Sequence, residues 1–362
     1  MSGRFVAAFA RMRGHPDFAR TLASAATASA MIRDVQPGIV VVTRKTRLRG
    51  VLARWATRGQ AQFMLAQATV HEHARQGQAV TQSVLRAANQ QFGELESEDA
   101  TYQRVVETLE HELDLGLPVQ FIDRDYLPTF DFGRYQVVVV VGQDGLVANT
   151  AKYVGSLPIV AVNPDPQRID GVLLPFQTSQ ARRAVNEVLD GQHRTRDVTL
   201  AEVNLADGQR LLAFNDLFIG CASHVSARYE LRVGRHAEPQ SSSGIIVSTG
   251  AGSTGWFSSV VNMARGIGNW LGAAPPQPST QAWEDRSLLW VVREPFVSKS
   301  SSAEHIAGRL PEGQELIIES RMSSGGVIFS DGVESDFLEF NAGTIARITV
   351  AQQRARLVWP YQ

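Results

Sequence analysis

An α/β half followed by an all-β half is the fold class this sequence predicts. Before residue 195, short β-branched apolar runs alternate with longer stretches of helical spacing, the pattern of a parallel sheet covered on both faces. After residue 195 the runs shorten and alternate apolar with polar, with Asp-Gly and Val-Gly turns between them, as antiparallel strands do. At 362 residues the chain is long enough for two domains, each with its own core.

Residues 1–35 are rich in Arg, Ala and Ser and poor in acids. They read as an Ala-rich helical arm (1–36) on a bacterial, cytoplasmic protein; the alternative is an organelle transit peptide and a mitochondrial matrix address. GIVVVTRKTR (Gly38–Arg47) is a buried strand bounded by Gly and by charge. Leu48 to Leu115 holds few Pro or Gly and keeps helix-type spacing, as in YQRVVETLEHEL, so it predicts two or three helices. LPVQFIDRDYL is a second strand and Val137–Val141, five consecutive valines, a third. LVANTAKYVG predicts a helix ending at Gly155, and PIVAVNPDP a fourth strand running into a turn. This α/β domain covers 37–195.

The β domain, 196–362, contains RDVTLAEVNLADGQRLLAFNDLFIG, RYELRVG, GIIVST, SLLWVVREP, ELIIES, GVIFSDG, ARITVA and ARLVWP. One helix interrupts it near Ser258–Leu271, followed by a Pro-rich loop, Gly272–Gln281. The last strands are free to return to the first domain.

Charge and composition narrow the function. The formal net charge of −1 gives no global attraction to nucleic acid or to an anionic membrane. One cysteine, Cys221, excludes an internal disulfide framework and a thiolate metal cluster. No apolar run approaches the roughly 18 residues of a membrane span.

Three stretches could carry chemistry. Gly142-Gln143-Asp144-Gly145 ends the valine strand. Its glycines let backbone approach a ligand, and the helix that follows presents free N–H groups to phosphate. An ionised acid there would repel phosphate but suits a hydroxyl, accepting its hydrogen bond or its proton as the alcohol attacks a phosphoryl group. The plain alternative is a common Asp-Gly turn. SSGIIVSTGAGSTGWFSS (Ser242–Ser259) is a strand, a small-residue turn and an aromatic opening a helix. Either the turn lets a flat ring or ribose come close, with hydroxyls from Ser253 and Thr254 and an apolar face from Trp256, or it is a Ser/Thr-capped turn with Trp256 in the core. Asn215 and Asp216, side by side in an apolar strand, need polar partners; a bound nucleotide or a β-bulge would supply them.

In this order the three pieces resemble the NAD kinase family, and within it the mitochondrial-type branch. VVVTRKTR, IVAVNPDPQRIDGVLLP, NDLFIG with ASHVSARYELRV, VVREPF and SDGVESDFLEFNAGTIA extend the resemblance over most of the chain after Gly38. It implies a Rossmann-like N-terminal domain, a C-terminal β-sandwich and an active site between them. It implies a kinase moving the γ-phosphoryl of ATP to the 2′-hydroxyl of NAD's adenosine ribose to give NADP. Asp144 would be the catalytic residue, acting on that hydroxyl. Asn215, Asp216, Thr249, Gly252, Ser253, Thr254 and Trp256 would bind NAD. Gly142, Gln143 and Gly145 would face the donor phosphates, with Lys45 and Arg47 as further phosphate contacts. Mg²⁺ would ride on those phosphates with no direct protein ligand, and a homodimer or homotetramer would form.

The chain departs from the family's G-G-D-G-T at Gln143 and Leu146. A side chain at 143 is expected to crowd the donor or to strain the backbone. The rival functions are a related kinase acting on a lipid or nucleoside alcohol, and a non-catalytic NAD/NADP-binding protein with its donor site blocked by Gln143. Ser243 stands where the bacterial type has an acid. His71-Glu72-His73 reads as a solvated helix face, Cys221 as a small core residue, SSSG and SKSSS as flexible loops, and Arg293-Glu294-Pro295 as an ion pair between domains.

Overall fold

The computed structural model describes residues 38–75, 82–273 and 280–361. The N-terminal arm expected over 1–36 and the middle of the Pro-rich loop lie outside them.

Four parallel strands open the fold: β1 (Ile39–Thr43), β2 (Val119–Asp123), β3 (Val137–Val141) and β4 (Pro158–Asn163), in the spatial order β2-β1-β3-β4. The five valines of β3 are explained by its place. β1 and β4 flank it, so both faces are covered and no polar side chain is tolerated. Val138 and Val140 point into one apolar cluster, with Leu146, Val147 and Ala151. Val137, Val139 and Val141 point into another, with Tyr102, Leu109 and Val185.

The helical stretch resolves into α1 (Arg47–Leu52), α2 (Arg58–Arg75) and α3 (Gln82–Glu112). The helix after β3, α4, runs Asp144–Ala151 and stops four residues short of the expected Gly155. The chain leaves the helix there because Lys152 and Tyr153 are engaged elsewhere, by Ser330 and Asp336. A helix missing from the sequence reading, α5 (Ala181–Leu189), covers the sheet with Ala181, Ala184, Val185 and Val188, an apolar stripe at three- and four-residue spacing.

The remaining strands are β5 (Phe176–Gln177), β6 (Arg194–Leu205), β7 (Arg210–Ala213), β8 (Asp216–Cys221), β9 (Ala227–Val233), β10 (His236–Ser242), β11 (Ile245–Ser248), β12 (Ser287–Val292), β13 (Ala307–Pro311), β14 (Leu316–Ser320), β15 (Gly326–Ser330), β16 (Leu338–Glu339) and β17 (Ile345–Trp359). The helix α6 spans Trp256–Trp270. ARITVA and ARLVWP, read as two strands, form the single strand β17 with an irregularity between Val350 and Arg354. That strand pairs antiparallel with β14 and β6, and parallel with β4 through Arg356↔Pro158 and Leu357↔Ile159. Among the described residues one mixed sheet of 11 strands therefore runs from the parallel half into the antiparallel half.

A second, antiparallel sheet in the order β13-β12-β11-β8-β15-β16 lies over the far half. Ile219, Val247, Trp290 and Ile328 of this sheet share a core with Val203, Tyr229, Ile318 and Ile348 of the first. The sandwich expected in the C-terminal half exists, but one of its layers continues the α/β sheet. SSSG is likewise not a free loop: Ser241 and Ser242 belong to β10.

Candidate active site

The order β2-β1-β3-β4 reverses direction between β1 and β3, and a doubly wound sheet opens a crevice at the carboxyl ends of such a strand pair. Tyr102 of α3 fixes this point. Its hydroxyl donates to the Val141 carbonyl at 2.9 Å and accepts from the Arg44 N–H at 2.9 Å, tying the ends of β1 and β3 together. Burial pushes the phenol up to about 12, so it stays protonated and keeps donating.

Asp144, first residue of α4, stands at the lip of this crevice. Its carboxylate accepts from the Leu173 N–H at 2.6 Å and has no ion-pair partner among the described residues. The second oxygen is left for another donor. Gly142 packs tightly here: a Cβ would lie 2.8 Å from Leu146 Cδ2, so that side chain would have to shift. Gln143 caps α4 with φ −114° and ψ 165°, ordinary extended backbone, so the strain expected of a side chain at this position is not found. Its side chain is exposed and faces a cavity of about 100 Å³ with Arg44, Arg47, Glu98, Tyr102 and Arg168.

The other two motifs meet each other directly. Thr249 N–H donates to the Asn215 carbonyl at 2.9 Å, and its hydroxyl donates to the Phe214 carbonyl at 2.6 Å. Gly252 presses on the same carbonyl: a Cβ would lie 2.1 Å from Asn215 O. Asp331, left-handed at φ 54°, then clamps the pair from the other side. Its carboxylate accepts from Phe214 N–H at 3.0 Å, Asn215 N–H at 2.6 Å and Asp216 N–H at 3.3 Å.

The far end of α4 reaches this junction. Lys152 Nζ lies 3.8 Å from Asp331 and donates to Ser330 Oγ at 2.8 Å, both side chains of the ion pair being only 2% exposed. Val147, Ala148 and Ala151 of α4 share a cluster with Phe214 and Ala251. An eight-residue helix spans about 12 Å at 1.5 Å per residue, so one rigid element links the Asp144 loop to the Asn215–Thr249 junction.

Burial pushes the Asp216 carboxyl up to about 7, with the neighbouring Asp331 adding to the effect. Burial also raises Asp331, against the pull of Lys152 and three N–H donors. Lys152 is lowered by burial, against the pull of Asp331 and Asp336.

No family model matches this chain, and no curated protein does. Solved structures do. The crystal structure of yeast NADH kinase complexed with NADH matches with a TM-score of 0.53 at 15% identity, over 90% of this chain and 84% of that one. An NAD kinase from Archaeoglobus fulgidus in complex with ATP matches with a TM-score of 0.47 at 16% identity, over 70% of this chain and 88% of that one. The fold is similar to that of yeast NADH kinase.

Within this NADH-kinase-like fold several predicted residues are placed otherwise than expected. Ser253 does not offer its hydroxyl outward. It is buried and donates to the Gly250 carbonyl at 2.7 Å. Thr249 is wholly buried, and Gly252 meets backbone, so the small residues of this turn serve its packing against Asn215. Neither Ser253 nor Thr254 caps α6; its N-cap is Gly255. Thr254 is exposed at the turn. Lys45 pairs with Asp125 at 2.6 Å, and Arg47 with Glu98 at 2.5 Å, so both are already held by carboxylates.

Trp256 is not in the core. It stacks on Phe218 with ring centroids 5.5 Å apart and 12° between planes, and Arg293 lies 5.2 Å from its ring. These three line a cavity of about 290 Å³ with Cys221, Phe329 and Phe337. Among the described residues Arg293 and Glu294 form no ion pair between domains: Arg293 sits over the two rings, and Glu294 accepts from Ser243 Oγ, which sets a carboxylate beside the position of Ser243. Residues that sequence reasoning missed are Arg44, Arg168, Lys152 and Asp331. Arg44 stood inside a quoted motif, but adjacent Arg and Lys residues gave no sign of which one turns inward.

Proposed function

We propose that this chain is a kinase that transfers the γ-phosphoryl of ATP to the 2′-hydroxyl of the adenosine ribose of NAD, giving NADP. The observation that carries the reading is α4. It begins with an acid at the strand-order reversal and ends on the junction of the Asn215-Asp216 and Thr249–Ser253 motifs. The fold shared with yeast NADH kinase supports the same reading.

In this mechanism the ribose 2′-oxygen attacks the γ-phosphorus as the bond to the β-phosphate oxygen breaks, ADP leaves, and the hydroxyl proton passes to Asp144 or through it to water. A carboxylate is far less basic than a ribose alkoxide, so its main contribution is alignment. The Leu173 N–H holds one Asp144 oxygen and thereby aims the other. Asn215 and Asp216 would hold the adenosine ribose. The stacked Phe218–Trp256 pair offers a flat apolar surface for a ring of the dinucleotide.

Mg²⁺ would be carried by the donor phosphates, where it offsets their charge. The backbone of Gln143 is unstrained, so its φ and ψ do not oppose a donor site beside it. Met263, Ile267, Trp270 and Leu271 form an exposed apolar stripe on α6 and just beyond it, which supports a homodimer or homotetramer.

Purified protein given ATP, Mg²⁺ and NAD is expected to form NADP. Asp144→Asn keeps the oxygen that accepts from Leu173 N–H and should bind NAD while losing most turnover. Equal rates for the two proteins would remove Asp144 from its role.

A further inference from the structure

We propose that Arg194, Arg196 and Arg354, beside the indole of Trp359, form a second binding site that takes a free nucleotide, and that its occupancy is felt at the Gly250–Ser253 turn.

The site lies at the start of β6 and the end of β17. Along Arg194–Thr199, β6 pairs with β17 on one edge, and β7 joins the other edge only from Ala201. Arg194–Asp197, at this open end, line a cavity of about 570 Å³, inside the roughly 300–1,000 Å³ range of small-ligand sites. Arg194, Arg196 and Arg354 face it against Asp197 and Glu284, which leaves a positive excess. Glu284 holds Arg196 at 2.7 Å, but Asp197 stands 3.7 Å from Arg354, too far for a hydrogen bond. Arg194 has no carboxylate partner among the described residues and lies 5.7 Å from the Tyr361 ring.

Charge on an exposed strand edge commonly serves to prevent pairing with another chain. That role has no use for indoles, and here two are built in. The Arg196 guanidinium lies 3.8 Å over the Trp283 ring and 5.7 Å from that of Trp359, and the two indoles meet edge to face at 6.3 Å. Guanidinium forks beside a flat ring match the two halves of a nucleotide: the forks take phosphate oxygens, and the base stacks on Trp359. A bare phosphate would leave most of the cavity unfilled and the ring unused.

The loop that carries Trp283 and Glu284 touches both sites. On one side Thr199 N–H donates to the Trp283 carbonyl at 2.8 Å, and the Thr199 hydroxyl donates to the Glu284 carbonyl at 3.3 Å. On the other, a Cβ on Gly250 would lie 1.9 Å from Ala282 O, and Gln281 N–H donates to Ser253 Oγ at 3.4 Å. A phosphate arriving at Arg196 competes with Glu284, and release of that carboxylate loosens the loop against which the turn packs. This coupling rests on the reading of the turn as part of the dinucleotide site; the nucleotide site itself does not.

Calorimetry on the full chain with GMP and with UMP tests the proposal; adenine nucleotides are avoided because the dinucleotide reading gives adenosine a place of its own. Wild type should bind at least one of the two, with inorganic phosphate at least about tenfold weaker, the factor that stacking on an aromatic ring supplies. Arg194→Gln and Arg354→Gln, both exposed, should each weaken the nucleotide at least about fivefold and leave the thermal midpoint and NAD affinity without nucleotide unchanged. Saturating nucleotide should weaken NAD at least about threefold, and saturating NAD should weaken the nucleotide by the same factor. Binding of neither nucleotide, equal affinity for inorganic phosphate, or wild-type affinity in both variants overturns the site. Nucleotide binding through Arg194 with an unchanged affinity for NAD overturns the coupling. If nucleotide binds through Arg194 but the protein binds no NAD, the site stands and the dinucleotide reading falls.

Discussion

Replacing Asp216 by Asn should stabilise the protein at pH 8 while weakening its grip on a ribose. The Asp216 side chain is buried and accepts no hydrogen bond among the described residues, and the Asp331 carboxylate lies beside it. Its pKa is about 7 against an ordinary 3.8. The folded state thus binds a proton more tightly than the unfolded chain. Its contribution to stability is full below pH 3.8 and is lost as pH rises through about 7. Three units at 1.36 kcal/mol each put the loss at about 4 kcal/mol, an upper figure because neighbouring groups relax. Asn has the same shape and carries no charge. Urea denaturation at pH 5 and pH 8 should show wild type losing stability over that interval and Asp216→Asn losing much less, with the variant about 2–4 kcal/mol ahead of wild type at pH 8. A variant less stable than wild type at pH 8, with an unchanged pH slope, would refute the reasoning. The buried acid would then be one that structure needs rather than one that ligand binding maintains at a cost in stability.

Lys152→Met leaves Asp331 buried without its counter-charge and should cost about 3 kcal/mol at pH 8, and less as the pH falls, because burial raises the Asp331 carboxyl and protonation removes the unpaired charge; denaturation as a function of pH checks this. Gly252→Ala places a methyl 2.1 Å from Asn215 O and should lower stability by at least about 2 kcal/mol, visible as a lower thermal midpoint, together with weaker NAD binding. Trp256→Ala should weaken NAD about tenfold, corresponding to a lost ring-stacking contact of about 1.4 kcal/mol, as read by calorimetry.

Much of the fold was legible because periodicity and burial are local signals. A run of five valines reads as a strand covered on both faces, and the helical spacing of the stretch after β1 predicted two or three helices, of which the structure forms three. α5 was missed because its apolar stripe consists largely of small residues, Ala181 and Ala184 among them. β17 was read as two strands because the polar residues at its irregularity look like a turn. The site was legible only as positions. Ser253 and Thr249 have the residue types of ligand groups, but their hydroxyls found backbone carbonyls first.

By itself the sequence determined the α/β and all-β halves, the acid at the end of the valine strand, and the proximity of chemistry-bearing motifs to strand ends. Those follow from spacing along one chain. The tertiary structure alone decided that β17 joins the two halves into one sheet, that Asp331 and Lys152 clamp the Asn215-Asp216 pair, and that Arg44 rather than Lys45 turns toward the crevice. The reason is physical: hydrogen bonds and ion pairs between residues more than fifty positions apart depend on which buried groups lack partners, and no local pattern records that.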